Sequence, residues 1–298
     1  MSAVALHTAP RFALGEFRCA PDDVRWQRGN VIEPVAMAVA AFPITSVVIR
    51  HDRRDPLLAN PNHVVFYRGG DRYRRALHDP RGDHCLFVDF DAGMAADLAA
   101  SAGLAGGDVP FAHGPSRARE YLRLRLVAHA AASGEADALA IEEAVCDALS
   151  AAFEAAAAVH RVRDGRRPAT TAEHERLVEG AKRLLTERAT SSDSLSSLAK
   201  SLHVSEFHLA RAFRARTGFT LHGYRTHLRL RSALERLVRG HDDLGSVATE
   251  LGFNSHSHFT GAFRSVFGAS PSQVRATCGR RGRAELSRIL EAPPVPAS

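Results

Sequence analysis

The chain has 298 residues, 45% of them hydrophobic, and a formal net charge of +6 at pH 7. No apolar run is near the length of about 20 residues that a membrane-spanning helix needs, and the N-terminus MSAVALHTAPRFALGEFR lacks the order of a secretory signal. We therefore expect a cytoplasmic protein with no membrane partner and enough length for two cores. The four cysteines are far apart and form no Cys-x-x-Cys pair, so neither a zinc cluster nor a disulfide framework is expected.

Residues 1–115 are predicted to form a domain rich in β-strand. Runs of β-branched and aromatic residues at 45–51, 62–68 and 84–90 are separated by stretches dense in Gly, Pro, Asp and Asn. Several short strands at this spacing indicate a small antiparallel sandwich or barrel.

Residues 116–162 are predicted to form two helices with a break near 133–137, because Ala, Leu, Glu and Arg dominate the segment. The second helix, about 136–160, has an apolar face at the spacing of helix packing, formed by Leu139, Val145, Leu149 and Phe153. An apolar stripe of this kind needs a partner, which a second copy of the chain could supply.

The rest of the chain divides into a polar linker at 163–172, a helical domain at 173–290 and a flexible Pro-rich tail at 291–298. Charge follows this division. Residues 173–298 carry 19 Lys and Arg against 12 Asp and Glu, whereas residues 1–172 carry 20 against 21. A basic half beside a near-neutral half suggests that one domain binds a polyanion.

The helical domain contains an internal duplication. LSSLAKSLHVSEFHLARAFRARTG (195–218) and LGSVATELGFNSHSHFTGAFRSVFG (244–268) share ten identical positions when Asn254 is treated as an insertion. Each copy is predicted to form a helix, a tight turn and a second helix, with Ser205 or Ser255 as the N-cap of the second helix. A long helix at 222–240, with five arginines and one glutamate, joins the copies.

The second helix of each copy buries one face and leaves the other outward from its N-terminal end, which is the arrangement that a major groove accepts. The outward residues are predicted to be Glu206, Phe207, Ala210 and Arg211 in the first copy, and His256, Ser257, Thr260 and Gly261 in the second. Because residues two apart on a helix point about 200° apart, His256 and His258 cannot share a metal ion. We expect His256 to face DNA and His258 to pack.

Residues 173–283 resemble the DNA-binding domain of the AraC/XylS family of bacterial transcription regulators. The resemblance is carried by SLAKSLHVSEFHLARAFRARTG, YRTHLRLRSALERL and VATELGFNSHSHFTGAFRSVFGASPSQVR. It implies two helix-turn-helix units that read successive major grooves, with bases contacted by Phe207, Arg211, His256, Ser257 and Thr260. Ser205 and Ser255 are then helix caps near the phosphates, and Arg214 and Arg264 are either phosphate contacts or solvated side chains. Gly261 departs from the family, whose members usually have a long basic residue there.

The N-terminal segment is similar, more loosely, to the cupin-like sensory domain of some AraC-type regulators, with 116–160 similar to their dimerisation helices. Tyr67, Tyr73 and Arg74 are candidates for a ligand pocket, or else ordinary strand and turn residues. The histidines at 51, 63, 78 and 84 are scattered, so no metal or other cofactor is expected. No catalytic arrangement of nucleophile and base is present in the sequence.

The predicted fold class is therefore α+β, with a cupin-like N-terminal barrel or sandwich, two dimerisation helices and an all-α C-terminal domain with two helix-turn-helix units. The predicted function is a transcription regulator that binds double-stranded promoter DNA as a homodimer and senses a small-molecule effector or a partner. RNA polymerase is a further partner if it is an activator. Two alternatives remain open: a ligand-independent regulator whose N-terminal domain only oligomerises, and an enzyme recruited to DNA.

Overall fold

The computed structural model describes residues 3–32, 38–52, 55–105, 109–164, 168–240, 243–278 and 282–292. The predicted α+β class is confirmed: two antiparallel sheets form the N-terminal part and helices form the C-terminal part. None of the helices in the described ranges is long and apolar enough to cross a membrane.

The strands form one sheet of six and one of four. Their order is β1-β2-β9-β4-β7-β10 in the larger sheet and β3-β8-β5-β6 in the smaller one. In chain order they are β1 (Ala3–Thr8), β2 (Phe12–Cys19), β3 (Asn30–Val31), β4 (Ala38–Pro43), β5 (Val47–His51), β6 (Leu57–Ala59), β7 (His63–Arg68), β8 (Arg72–Leu77), β9 (Asp83–Phe90) and β10 (His113–Pro115).

The centre of the six-stranded sheet is buried on both faces, as β4 shows. Val39 and Ala41 of β4 point toward the smaller sheet and join a core between the two sheets. Ala40 and Phe42, which alternate with them, point the other way and join a larger core under helices. The domain is therefore a sandwich of two sheets, with helices covering the outer face of the larger one.

Strands β5, β7 and β9 confirm the three strands predicted at 45–51, 62–68 and 84–90. The interval between β7 and β9, predicted as turn, instead contains β8. The prediction was wrong because three of the six residues of β8 are arginines, which give the strand the polarity of a turn. Arg72 and Arg74 point outward, while Arg75 points inward and is buried against Asp83, with its Nη1 donating to Oδ2 at 2.8 Å.

Three helices follow or interrupt the sheets: α1 (Ala92–Ser101), α2 (Ala118–Ala132) and α3 (Ala138–Asp164). The break between α2 and α3 lies where it was predicted, with Gly134 at φ +69°. The apolar face of α3, however, is used within the chain. Val145, Leu149 and Phe153 are fully buried in the larger core, and only Leu139 is 63% exposed. The residues predicted to attract a second copy therefore already have an intramolecular partner.

The C-terminal helices are α4 (Pro168–Glu187), α5 (Leu195–Ser201), α6 (Glu206–Thr217), α7 (Leu221–Arg239), α8 (Leu244–Glu250), α9 (His256–Phe267), α10 (Pro271–Thr277) and α11 (Gly282–Glu291). Most of the segment predicted as a linker at 163–172 is helical: α3 continues to Asp164, and α4 begins with Pro168, a residue favoured at the first helical position. Residues 165–167 between them, and residues 293–298 of the predicted tail, lie outside the described ranges.

Two apolar cores support these helices, and they do not follow the sequence domains. One core is made by α4, α5, α6 and the first half of α7, including Leu209, Phe213 and Leu228. The second half of α7 and helices α8 to α11 share a single core with α2, α3 and the larger sheet. The two copies of the duplication thus have different packing partners.

Candidate nucleic-acid interface

The two copies of the duplication form equivalent helix-turn-helix units. Ser205 caps α6, with the backbone N–H of His208 donating to its hydroxyl at 3.2 Å. Ser255 caps α9 in the same way, with the N–H of His258 at 3.1 Å. Both predicted caps are in place, and satisfying these N–H groups stabilises the start of each helix. The helices also end alike, because Gly218 and Gly268, which match in the repeat, are both left-handed C-caps.

Helix α6 presents the face that the sequence predicts. Leu209 and Phe213 are fully buried, whereas Phe207 is 75% exposed and Arg211 and Arg214 are exposed. Phe207 is the most exposed large hydrophobic side chain in the described part of the chain. The combination of an apolar ring and a guanidinium suits base edges, where thymine offers a methyl group and guanine offers two acceptors.

Helix α9 presents a smaller and less charged face. His256 and Ser257 are exposed at its N-terminal end, and Arg264 is exposed further along. Gly261, which matches Arg211 in the repeat, is exposed, and a Cβ built there would meet no heavy atom within 4 Å. This position therefore has room for a side chain that the sequence does not provide.

Two positions on α9 differ from the prediction. Thr260 is half-buried, and its Oγ1 is enclosed with no hydrogen-bond partner among the described residues, so the hydroxyl does not share the outward face of His256 and Ser257. His258 was expected to pack beside the buried face. It is exposed, although its ring lies edge-on to Phe253 at 5.6 Å between centroids.

The arginines of α7, counted in the sequence as a basic surface, mostly bind other parts of the chain. Arg225 donates to the Asp193 carbonyl at 2.9 Å, and Arg236 pairs with Glu250 at 2.6 Å. Arg231 is 1% exposed. The positive charge of this helix is therefore largely structural, whereas Arg211 and Arg214 of α6 and Arg264 of α9 are exposed.

Arg229 fixes the two units to one another. Its guanidinium donates to three backbone carbonyl oxygens, those of Ala189 at 2.6 Å, Ser191 at 2.7 Å and Gly252 at 3.0 Å. The first two lie in the loop after α4, beside the first unit, and Gly252 lies in the turn of the second. Because the spacing of two recognition helices sets the spacing of the grooves they can enter, this contact bears directly on DNA binding.

Known proteins match this part of the chain. Residues 198–277 match the family described as a helix-turn-helix domain. The HTH-type transcriptional regulator MtrA of Neisseria gonorrhoeae is 28% identical over 88 residues, which span 30% of this chain and 29% of MtrA. The chain carries a helix-turn-helix domain of the AraC type. The match covers less than a third of the length of that relative.

Solved structures are similar over the helix-turn-helix domain or over most of the chain. The C-terminal domain of AraT, a response regulator from Geobacillus stearothermophilus, is 27% identical, with a TM-score of 0.32 over 34% of this chain and 84% of that one. An apo ToxT structure from Vibrio cholerae is similar over 91% of this chain and 98% of its own, at 12% identity and a TM-score of 0.36.

Outside the helix-turn-helix domain, the residues predicted to line a pocket do not lie together. Tyr67 and Tyr73 face each other between the two sheets, with ring centroids 4.5 Å apart, and burial raises the pKa of Tyr73 to about 12. Arg74 points to the opposite side of β8 and is exposed, because successive side chains of a strand alternate. Arg75 is the arginine that faces inward, and its guanidinium lies 4.4 Å from the ring centre of Phe17.

In the ranges that the structure describes, no group of three or more His, Cys, Asp or Glu side chains could hold a metal ion. The cysteines Cys19, Cys85, Cys146 and Cys278 are free thiols. His63 is buried near Tyr224, and burial lowers its pKa well below the ordinary value, so its imidazole is neutral at pH 7.

Proposed function

We propose that this protein is a sequence-specific transcription regulator that binds promoter DNA with its two helix-turn-helix units. The observation that carries the proposal is the exposed face of α6, where Phe207 and Arg211 stand outward from a helix whose other face is buried in a core of its own. On α9, Ser257 takes the place of Phe207 and Gly261 that of Arg211, with His256 exposed next to Ser257. Arg214 and Arg264, exposed and one turn further on, are proposed to bind phosphates.

The proposal assigns unequal roles to the two units. Arg211 can donate two hydrogen bonds to a guanine, whereas the equivalent Gly261 can donate none. The first unit is therefore expected to contribute most of the base discrimination. The second unit is expected to rely on His256 and Ser257 and on the phosphates.

For the N-terminal domain we propose a sensory role, with Tyr67 and Tyr73, and Arg75 in place of Arg74, as candidate ligand contacts. The support is a buried cluster of aromatic rings and one charged pair between the sheets. Homodimerisation and contact with RNA polymerase are further parts of the proposal, as is a location in the cytoplasm. An effector of this domain would stabilise the folded chain by RT ln(1 + [L]/Kd) and so raise its unfolding temperature as the ligand concentration increases, which a screen of small molecules by thermal shift would measure.

The DNA-binding proposal is tested by selecting bound sequences from random duplexes with the full chain. The expected result is an enriched motif with two half-sites about 10 base pairs apart, one helical turn. The double variant Phe207→Ala/Arg211→Ala should enrich only the half-site of the second unit. Salt-sensitive binding without any enriched motif would show that the basic residues only bind phosphate, and would refute sequence-specific recognition.

A further inference from the structure

The N-terminal domain contacts the two helix-turn-helix units in different ways. At the first unit the side-chain hydrogen bonds come from one turn: Asn60 Nδ2 donates to Tyr224 Oη at 2.8 Å and to Thr186 Oγ1 at 3.1 Å. Asn62 Nδ2 donates to the Tyr224 carbonyl at 3.1 Å. The apolar core of this unit stays separate from the cores of the N-terminal domain.

At the second unit, by contrast, the apolar core is continuous with the N-terminal domain. Tyr121 and Leu122 of α2 belong to the same buried cluster as Leu234 of α7, Phe263 of α9 and Val274 of α10. Removing α2 would expose this face to water, at a cost of about 25 cal/mol for each Å² of apolar surface. The second unit therefore depends on the N-terminal domain for its packing.

A buried ion pair defines the register between α2 and α7. Arg125 Nε donates to Glu235 Oε1 at 3.0 Å and Oε2 at 3.1 Å, and both side chains are almost fully buried. The Tyr121 hydroxyl lies 3.5 Å from the same carboxylate and donates to the Pro43 carbonyl at 3.3 Å. Because separating a buried ion pair leaves a charge without a partner away from water, this pair disfavours other alignments of α2 on α7.

Arg231 of α7 makes further contacts between α7 and α2. It donates to the Ser116 carbonyl at 2.6 Å, and its guanidinium lies 4.2 Å from the ring centre of Tyr121. Its Nε and Nη1 have no hydrogen-bond partner among the described residues. Both ends of the α2–α7 contact are thus fixed by charged groups that are removed from water.

We propose that the N-terminal domain acts on DNA through the second helix-turn-helix unit, with Arg125 and Glu235 positioning α9 against its half-site. The inference rests on the proposed function, since it takes α9 to be a recognition helix. The Arg125–Glu235 pair does not touch DNA. It holds the second half of α7, on which α8 and α9 pack. A change in the position of α2 therefore alters binding at the second half-site more than at the first.

The test uses the full chain with the double substitution Arg125→Met/Glu235→Leu, which removes the ion pair but keeps apolar volume, so that the variant retains its fold. Arg117→Ala is the matched control, because Arg117 lies at the start of α2 and forms an exposed pair with Glu154 inside the N-terminal domain. His256→Ala and Arg211→Ala in the native chain identify which half-site belongs to which unit.

Two readouts are compared. Hydrogen exchange should accelerate in α8 to α10 of the double variant and stay unchanged in α4 to α6. In binding assays, the penalty for a base change in the second half-site should fall about fivefold or more, while the penalty in the first half-site stays within about twofold. The single variant Arg125→Lys keeps the positive charge. It should therefore retain part of the second half-site penalty that the double variant loses.

Equal loss at both half-sites, or no loss at either while α8 to α10 exchange faster, would overturn the inference and leave the proposed function standing. A native chain that discriminates no base in either half-site would overturn the proposed function itself. The same measurement therefore separates the two failures.

Discussion

The Arg229 guanidinium donates to the Gly252 carbonyl oxygen at 3.0 Å and lies against the Gly252 Cα, where a Cβ would come within 3.2 Å of it. Gly252 also has φ +75°, a conformation that side chains rarely adopt. One residue in the turn of the second unit thus serves both the local turn and the contact that joins the two units.

Gly252→Ala should destabilise the protein by more than about 1 kcal/mol, because the methyl group would meet the Thr190 carbonyl oxygen at 2.9 Å and the backbone conformation is strained for any residue with a side chain. Urea unfolding measures the change. His203 is the matched position of the first turn, at φ +54° and exposed. His203→Gly should keep or raise stability by up to about 1 kcal/mol. Equal stability of Gly252→Ala and the native chain would contradict this account of the turn.

Arg211→Ala should weaken binding to the selected operator by about 1–3 kcal/mol and relax preference at one base pair, since one bidentate contact to a base is lost. Fluorescence anisotropy with duplexes changed at single positions would measure both effects. Arg81→Ala is the control, because Arg81 pairs with Asp79 in the N-terminal domain at 2.7 Å. A uniform loss over all duplexes, with a shallower salt dependence, would show that Arg211 binds phosphate instead.

Gly261→Arg should strengthen binding and make the second half-site more selective. The open space around Gly261 accepts a side chain, and replacing glycine inside a helix adds up to about 1 kcal/mol of stability. The salt dependence of binding should steepen by about one phosphate contact if the new guanidinium meets the backbone rather than a base. Arg211→Gly, the reverse change in the first unit, should make the first half-site as tolerant as the native second. An unchanged second half-site in Gly261→Arg would place this face of α9 away from DNA.

His227 should make the protein less stable in mild acid. Burial, together with the nearby Arg231 charge, lowers the pKa of His227 to about 4, whereas the unfolded chain titrates near 6.5. Between these values the unfolded state binds the extra proton, so the stability present above pH 6.5 is lost as the pH falls toward 4. The contribution is on the order of 3 kcal/mol.

His227→Phe removes this proton and keeps the ring, which packs edge-on against Phe219 at 4.9 Å. Unfolding free energies of the variant should therefore fall less steeply between pH 6.5 and 4 than those of the native chain. Identical slopes would assign the acid sensitivity to other groups, of which His63 is the first to examine, because burial also lowers its pKa.

The sequence predicted the helix-turn-helix units well because their signals are local. Ser205 and Ser255 cap helices whose apolar period lies within twelve residues, and the duplication repeats each signal once. Strand β8 was missed because the sequence does not distinguish a buried arginine from a polar turn residue. The partner of Arg75 is Asp83, eight positions away, and only the fold brings the two together.

The hydrogen-bond partners of the α7 arginines could not be predicted from local sequence. Their helix was predicted, but their partners are carbonyls of Ser116, Ala189 and Gly252, which only the tertiary fold brings near. The apolar stripe of α3 was predicted correctly as a packing face, and its partner was not. An apolar stripe indicates that the helix face is covered. It does not indicate whether the cover is another copy of the chain or, as here, the chain's own sheet.

The division of the apolar cores means that cooperative unfolding will not follow the order of the sequence. Helices α8 to α11 share their core with strands more than 150 residues earlier in the chain, while α4 to α6, which lie between them in sequence, do not. The boundary between the two unfolding units passes through the middle of α7, close to Leu228 and Leu230. A calorimetric scan should therefore resolve the first helix-turn-helix unit as a separate, smaller transition, and melt the second together with the sheets.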